Sequence, residues 1–306
     1  SSVTFKLRDE ARWHDGTKIT PEDVVYSLEV NKAANPRMGL YYKNVSRAEA
    51  TGENEVTFYF DVKNNRELPM IMGQLTILPK HYWTGKDASG NERDPMKTTL
   101  EPPLGSGAYR IEAVEAARSV RLRRVDDWWG DKLPINVGRH NFGVIRYEYY
   151  RDGAVAFEAF KAGAFTEREE NIARVWATGY DFPAARDGRV KRAETPNNNI
   201  PSIQGWVFNA RRKIFKDPRI REAIGYAFDF EWTNRNLMYD AYKRISSYFE
   251  NSEMAATGLP SDAEKALLDP WRDQLPADVF GEPYMSPISD GSGQDRTLLK
   301  KASYLF

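Results

Sequence analysis

Apolar and polar residues alternate in short runs along this chain, and each run closes on a turn or a capped helix. In residues 3–8, Val3, Phe5 and Leu7 fall on one face and Thr4, Lys6 and Arg8 on the other, the period of a strand. Trp13-His14-Asp15-Gly16 follows as a tight turn, with Asp-Gly supplying a positive-φ position. Thr20, Pro21 and Asp23 then predict a helix start with Thr20 as N-cap, Pro21 at N1 and Asp23 closing a variant capping box; Val24, Val25 and Leu28 form its apolar face. Residues 55–61 set Val56, Phe58 and Phe60 against Thr57 and Tyr59, a second strand after the turn-prone Thr51-Gly52-Glu53-Asn54. A short helical or turn segment opens at Leu78-Pro79-Lys80. Residues 84–103 lack apolar periodicity and read as an exposed excursion, a candidate lobe boundary. Residues 109–114 and 119–125 predict a hairpin, with Trp128 and Trp129 as packing anchors beyond it. A strand at 144–150 and a helix at 154–162 ending on Gly163 complete this half.

The second half is organised around residues 204–229. Residues 203–208 have the apolar content of a short buried strand, 209–213 form a polar bend, and Asp217-Pro218 starts a helix with Asp at N-cap and Pro at N1. Ile220, Ala223, Ile224 and Ala227 recur at helical spacing on its packed face. Gly205 beside Trp206 stands out. A glycine inside a strand leaves room for another backbone or a ligand, and the adjoining indole offers a broad apolar surface with one polar handle. The plainer alternative is that Gly205 relieves crowding and Trp206 is core. After Asp229 the pattern is helical to about residue 242 and loop- or strand-like at 245–249. It then becomes an irregular connector at 260–284 containing a short helix near 261–268. Residues 296–306 have helical spacing and stop without a cap.

Composition removes several function classes. The chain has 306 residues, 44 basic and 44 acidic, so no net field draws it to nucleic acid or an anionic membrane. It has no cysteine and its histidines, His14, His81 and His140, are isolated, which argues against disulfides and against any metal or other cofactor held by such ligands. No apolar run approaches the ~20 residues of a membrane span. Catalysis finds no support either. There is no G-x-S-x-G elbow and no phosphate-binding loop, Gly105-Ser106-Gly107 is a bare turn signal, and the adjacent Glu169 and Glu170 would point to opposite sides of a strand. No catalytic residue is assigned.

FKLRDEARWHDGTKITPEDVVYSLE, residues 5–29, resembles the signature of the family-five extracytoplasmic solute-binding proteins, the oligopeptide- and dipeptide-binding components of ABC importers. The matching positions include Leu7-Arg8, Trp13, Asp15-Gly16, Thr20, Asp23-Val24 and Ser27. Two further landmarks follow in order: residues 103–109, PLGSGAY, and the run from Phe208-Asn209 to Arg221. The block at 147–171 most resembles the branch associated with murein-peptide and peptide-antibiotic uptake.

This resemblance implies a mixed α/β, two-lobed periplasmic-binding-protein architecture of type II, here an incomplete portion of it. Residues 1–102 would be a subdomain of the first lobe, 103–203 its sheet region, and 204–306 the beginning of the second lobe. Function, by the same implication, is extracytoplasmic or periplasmic binding of a peptide or peptide-like solute by a monomer that hands it to a membrane-embedded ABC permease. The alternatives are a chaperone or interaction protein using the same peptide groove and, further off, a hydrolase. In the resembled family the segment after the 154–162 helix leads to the interlobe cleft. Arg168, Glu169, Glu170 and Asn171 are therefore candidates to meet a ligand's charged ends or amides, with Trp176, Tyr180 and Asp181 closing the same wall. Gly205 and Trp206 would line the cleft with Asn209 at its edge, where such proteins present backbone to a bound peptide.

Overall fold

The computed structural model describes residues 1–201 and 203–306, which divide into two compact units, 1–159 and 160–306.

The first unit opens on an antiparallel sheet built from β1 (Ser2–Lys6), β2 (Val45–Gly52) and β3 (Glu55–Phe60), in the order β1-β3-β2. Phe5 pairs with Val56, and Val3 with Phe58, which is 1 % exposed. Between β1 and β2 run α1 (Pro21–Ala34) and α2 (Pro36–Tyr41). The predicted capping box is present: Thr20 Oγ1 accepts from the Asp23 N–H, and the Asp23 carboxylate accepts from the Thr20 N–H. Val24 and Leu28 of α1 reach the sheet and join Val45, Val56, Phe58, Leu68 and Met72 in one apolar core. Leu68 and Met72 come from α3 (Leu68–Met72), and α4 (Lys80–Trp83) is the short helix expected after Pro79.

A second antiparallel sheet follows, β4 (Tyr109–Glu115), β5 (Ser119–Arg124) and β6 (Val144–Glu148) in sequential order. The 103–109 landmark connects the two sheets. His14 N–H donates to Gly105 O at 2.8 Å, and His14 Nε2 lies 2.8 Å from Gly107 O, a contact in which the ring nitrogen must donate. A Cβ on Gly105 would stand 3.2 Å from the His14 ring, which is why the loop carries glycine there. Trp128 and Trp129 both donate their indole N–H to Ser106 O, at 2.8 and 3.1 Å, and so act as the anchors the sequence predicts. Then comes α5 (Gly153–Lys161), where Asp152 Oδ1 accepts from the Ala154 and Val155 N–H groups; Gly163 beyond it has φ +79°.

The second unit contains α6 (Ala173–Thr178), α7 (Pro183–Arg186), α8 (Lys213–Lys216), α9 (Pro218–Ala227), α10 (Phe230–Leu237), α11 (Asp262–Leu268) and α12 (Arg296–Leu305). Asp217 caps α9 as expected, accepting from the Arg219 N–H at 2.9 Å, and α12 packs on α9 through Ala223, Leu298 and Ala302. A loop at 289–295 is tied to the start of α10: Ser289 N–H donates to Glu231 and Gly293 N–H to Asp229, at 2.9 and 2.8 Å. The helix predicted to residue 242 stops at Leu237, because Tyr239 and Asp240 take positive φ.

One expectation fails. Residues 203–208 form no strand, bend at Gly205 and are not buried: Trp206 is 74 % and Val207 97 % exposed. An extended segment becomes a strand only when a neighbour supplies partners for its N–H and C=O groups. Among the described residues no backbone group of 204–208 is hydrogen-bonded.

Candidate functional site

The predicted site residues all lie in the second unit, in two places. Arg168 and Glu170 come together: Arg168 Nε is 3.2 Å from Glu170 Oε2, and their side chains are 14 % and 2 % exposed. Glu170 Oε1 accepts from the Ile172 N–H at 3.0 Å, the residue that precedes α6. Glu170 is thus committed to holding the chain as it enters α6. Glu169 and Asn171, on either side, face solvent.

The turn formed by α6 and the segment after it carries a chain of aromatic contacts. Phe160 meets Phe165 and Tyr180 at ring-centroid distances of 5.5 and 6.5 Å, and Tyr180 meets Trp176 and Phe182 at 5.7 and 6.1 Å. Phe160 and Phe182 are buried at its base. Burial pushes the Tyr180 hydroxyl above its ordinary range and the Glu170 carboxylate adds to the effect, while Arg168 and Arg192 oppose it. Asp181 is held by Arg186 at 2.6 Å.

Sequence reasoning did not single out two residues that complete this cluster. The Arg192 guanidinium carbon sits 4.2 Å from the centroid of Trp176 and 5.6 Å from that of Tyr180. Glu194 accepts the Trp176 indole N–H at 3.2 Å. They lie in 191–200, an exposed stretch without periodicity, and only the fold brings them to Trp176.

Gly205, Trp206 and Asn209 lie on the separate segment 203–212. Among the described residues none of them makes a hydrogen bond or ring contact with 168–171. Trp206 packs edge-on against Phe228 at 5.0 Å and keeps the rest of its surface open. A Cβ on Gly205 would meet nothing within 4 Å. Asn209 makes a local turn, its Oδ1 accepting from the Arg211 N–H at 3.1 Å and its carbonyl from the Arg212 N–H at 3.0 Å. Also in this unit, Arg244, Tyr248, Phe249, Asn251, Tyr284 and Met285 contribute to an open groove of about 960 Å³. Among the described residues no group of three or more His, Asp or Glu side chains could hold a metal ion, and no helix is long and apolar enough to cross a membrane.

Residues 1–274 match the family described as bacterial extracellular solute-binding proteins, family 5, middle, and the chain belongs to that family. It is 46 % identical over 302 residues to the probable peptide-binding protein YejA of Agrobacterium fabrum, covering 98 % of this chain and 49 % of that protein. The peptidoglycan-binding protein YepA of the same organism is 35 % identical, over 99 % of this chain and 50 % of its own length. The chain therefore spans about half the length of these relatives. Among solved structures, the oligopeptide-binding protein AppA of Bacillus subtilis in complex with a nonapeptide superposes with a TM-score of 0.57 at 18 % identity, covering 99 % of this chain and 60 % of that one. NikA of Brucella suis in complex with Fe(III)-EDTA gives 0.63 at 15 % identity, over 99 % of this chain and 52 % of the other. The fold is that of the type II periplasmic binding proteins, as the resemblance in residues 5–29 implies.

Proposed function

We propose that the protein binds peptides or peptide-like solutes outside the cytoplasm and delivers them to a membrane-embedded ABC permease, its lobes closing over the ligand by hinge motion. In this reading it works as a monomer and performs no bond chemistry. Residues 1–102 and 103–203 build the first lobe and 204–306 begin the second. The observation that carries the reading is segment 204–208, an exposed backbone bending at Gly205 whose N–H and C=O groups find no partner among the described residues, in a chain of a solute-binding family. A peptide laid beside such a segment exchanges main-chain hydrogen bonds that are indifferent to its side chains. The relatives support the same substrate class: YejA is a probable peptide-binding protein, and AppA holds a nonapeptide.

Gly205 and Trp206 then contact ligand, Asn209 sits at the margin of the site, and Glu169 and Asn171 offer polar groups from the other wall. Arg168 and Glu170 position that wall. Mass spectrometry of solute co-purifying with the full-length protein tests the substrate class. Calorimetry with the recovered solute tests the segment. Trp206→Ala is expected to weaken binding by about 2 kcal/mol or more, roughly thirtyfold in Kd, the scale of an aromatic hot spot. Gly205→Val finds open space in the free protein and is expected to leave the fold intact while obstructing the approach of a peptide. If both variants bind the native solute as tightly as wild type, segment 204–208 is not the site.

A further inference from the structure

Resting on the peptide reading above, we propose that Arg192, held over Trp176 and Tyr180, is a receptor for a carboxylate of the ligand, either its C-terminus or an acidic side chain. A guanidinium is planar and carries its five N–H donors in the plane, so stacking on aromatic faces uses the flat surface of the group and leaves the donors free at its edge. With the carbon 4.2 Å from the Trp176 centroid and 5.6 Å from that of Tyr180, the arginine head is confined before any ligand arrives. The ordering that a flexible surface arginine undergoes on binding is largely done in advance.

The neighbouring carboxylates do not use these donors. Glu170 belongs to Arg168, Asp181 to Arg186 and Asp187 to Arg189, at 3.2, 2.6 and 2.8 Å. Glu194 is turned to the indole N–H of Trp176 at 3.2 Å. Among the described residues Arg192 has no carboxylate or carbonyl partner, although Glu194 is two positions away. By engaging the tryptophan edge, Glu194 orients the ring beneath the arginine without forming an ion pair with it. The platform itself is held from below by the Tyr180 contacts to Phe160 and Phe182, both buried. A guanidinium fork stacked on two rings and without an ion-pair partner among the described residues matches one carboxylate in bidentate geometry.

The test uses calorimetry on the full-length protein with four synthetic peptides: Ala-Ala-Ala and its C-terminal amide, and Ala-Glu-Ala-amide and Ala-Gln-Ala-amide. Wild type is expected to prefer the carboxylate form in one of the two pairs by about tenfold, the value of a charge-assisted hydrogen-bonded contact. Arg192→Gln is expected to reduce that preference to within about twofold without changing the affinity for the neutral form. Arg192→Lys, which keeps charge and loses the fork, should retain only a small part of the preference. Collapse in the first pair identifies the C-terminus as the source of the carboxylate; collapse in the second identifies a side chain. A carboxylate preference that survives Arg192→Gln, or that Arg192→Lys preserves in full, overturns the receptor while leaving peptide binding in place. Wild-type protein that binds all four peptides equally overturns it too. Failure to bind any of the four overturns the peptide reading itself, and the receptor with it.

Discussion

Asp23 ties together three separate pieces of the first unit, and its removal is expected to be costly. The residue is 4 % exposed. Oδ2 accepts from the Trp13 indole N–H at 3.1 Å and the Thr20 N–H at 3.0 Å, and Oδ1 accepts from the Lys80 N–H at 2.8 Å. These donors belong to the 13–16 turn, the helix entry and the start of α4. Asp23→Ala strands all three. A buried donor left without a partner costs about 1–3 kcal/mol. Trp13 is 3 % exposed and falls at the upper end; the two backbone donors are partly reached by water and fall lower. The sum is about 3–6 kcal/mol, a large part of the ~5–15 kcal/mol that holds a typical domain. Trp13→Phe is the internal control. It removes one donor and leaves both oxygens of Asp23 occupied, so its polar cost should be no more than about 1 kcal/mol. Hydrogen exchange at the β3 amides, in the same core, reads the difference: protection should fall about 10²-fold or more for Asp23→Ala and about tenfold or less for Trp13→Phe. A loss below about 1 kcal/mol for Asp23→Ala, or a larger loss for Trp13→Phe, would show that the carboxylate is not the hub.

Gly16 has φ +88° and an added Cβ would meet nothing within 4 Å, so Gly16→Ala should destabilise through the backbone alone, by about 1–2 kcal/mol in chemical denaturation; an unchanged midpoint would refute the strain. The Asp217 carboxyl is lowered from 3.8 to about 2, chiefly by the Arg219 side-chain hydrogen bond and then by the Arg219 backbone N–H. Since the folded value lies below the unfolded one, the cap contributes fully above about pH 4 and is lost as pH falls through about 2. An NMR titration of the Asp217 carboxyl with a midpoint near 4 would contradict this.

What can be read from sequence divides along a physical line. The entries to α1 and α9, the Asp15-Gly16 turn and the 109–124 hairpin are all specified by residues within a few positions of one another, so their signals survive without knowledge of the fold. Segment 203–208 has no such local determinant. Its apolar content is a fair strand signal, yet strand formation depends on a distant partner, and in this chain none pairs with it among the described residues. The site follows the same division. Arg168 and Glu170 are visible as neighbours in a charge-dense run, whereas Arg192 and Glu194 acquire meaning only because α6 turns Trp176 toward a stretch sixteen residues downstream in the chain.

The two acid-base pairs around α6 show how one kind of chemistry serves two ends. Arg168 and Glu170 are almost wholly withdrawn from water, and a buried ion pair is weak evidence for stability because desolvation offsets the attraction. Its value here is geometric: Glu170 bonds both the arginine and the Ile172 N–H, and so sets where α6 begins and how Trp176 is presented. Arg192 and Glu194 share the same tryptophan but form no ion pair with each other; one lies over the ring face and the other takes the ring's N–H. Removing the inner pair should therefore disturb the outer one, whereas replacing Arg192 should leave the inner pair untouched. Under the proposal above, that asymmetry would separate a residue that shapes the wall from one that meets the ligand.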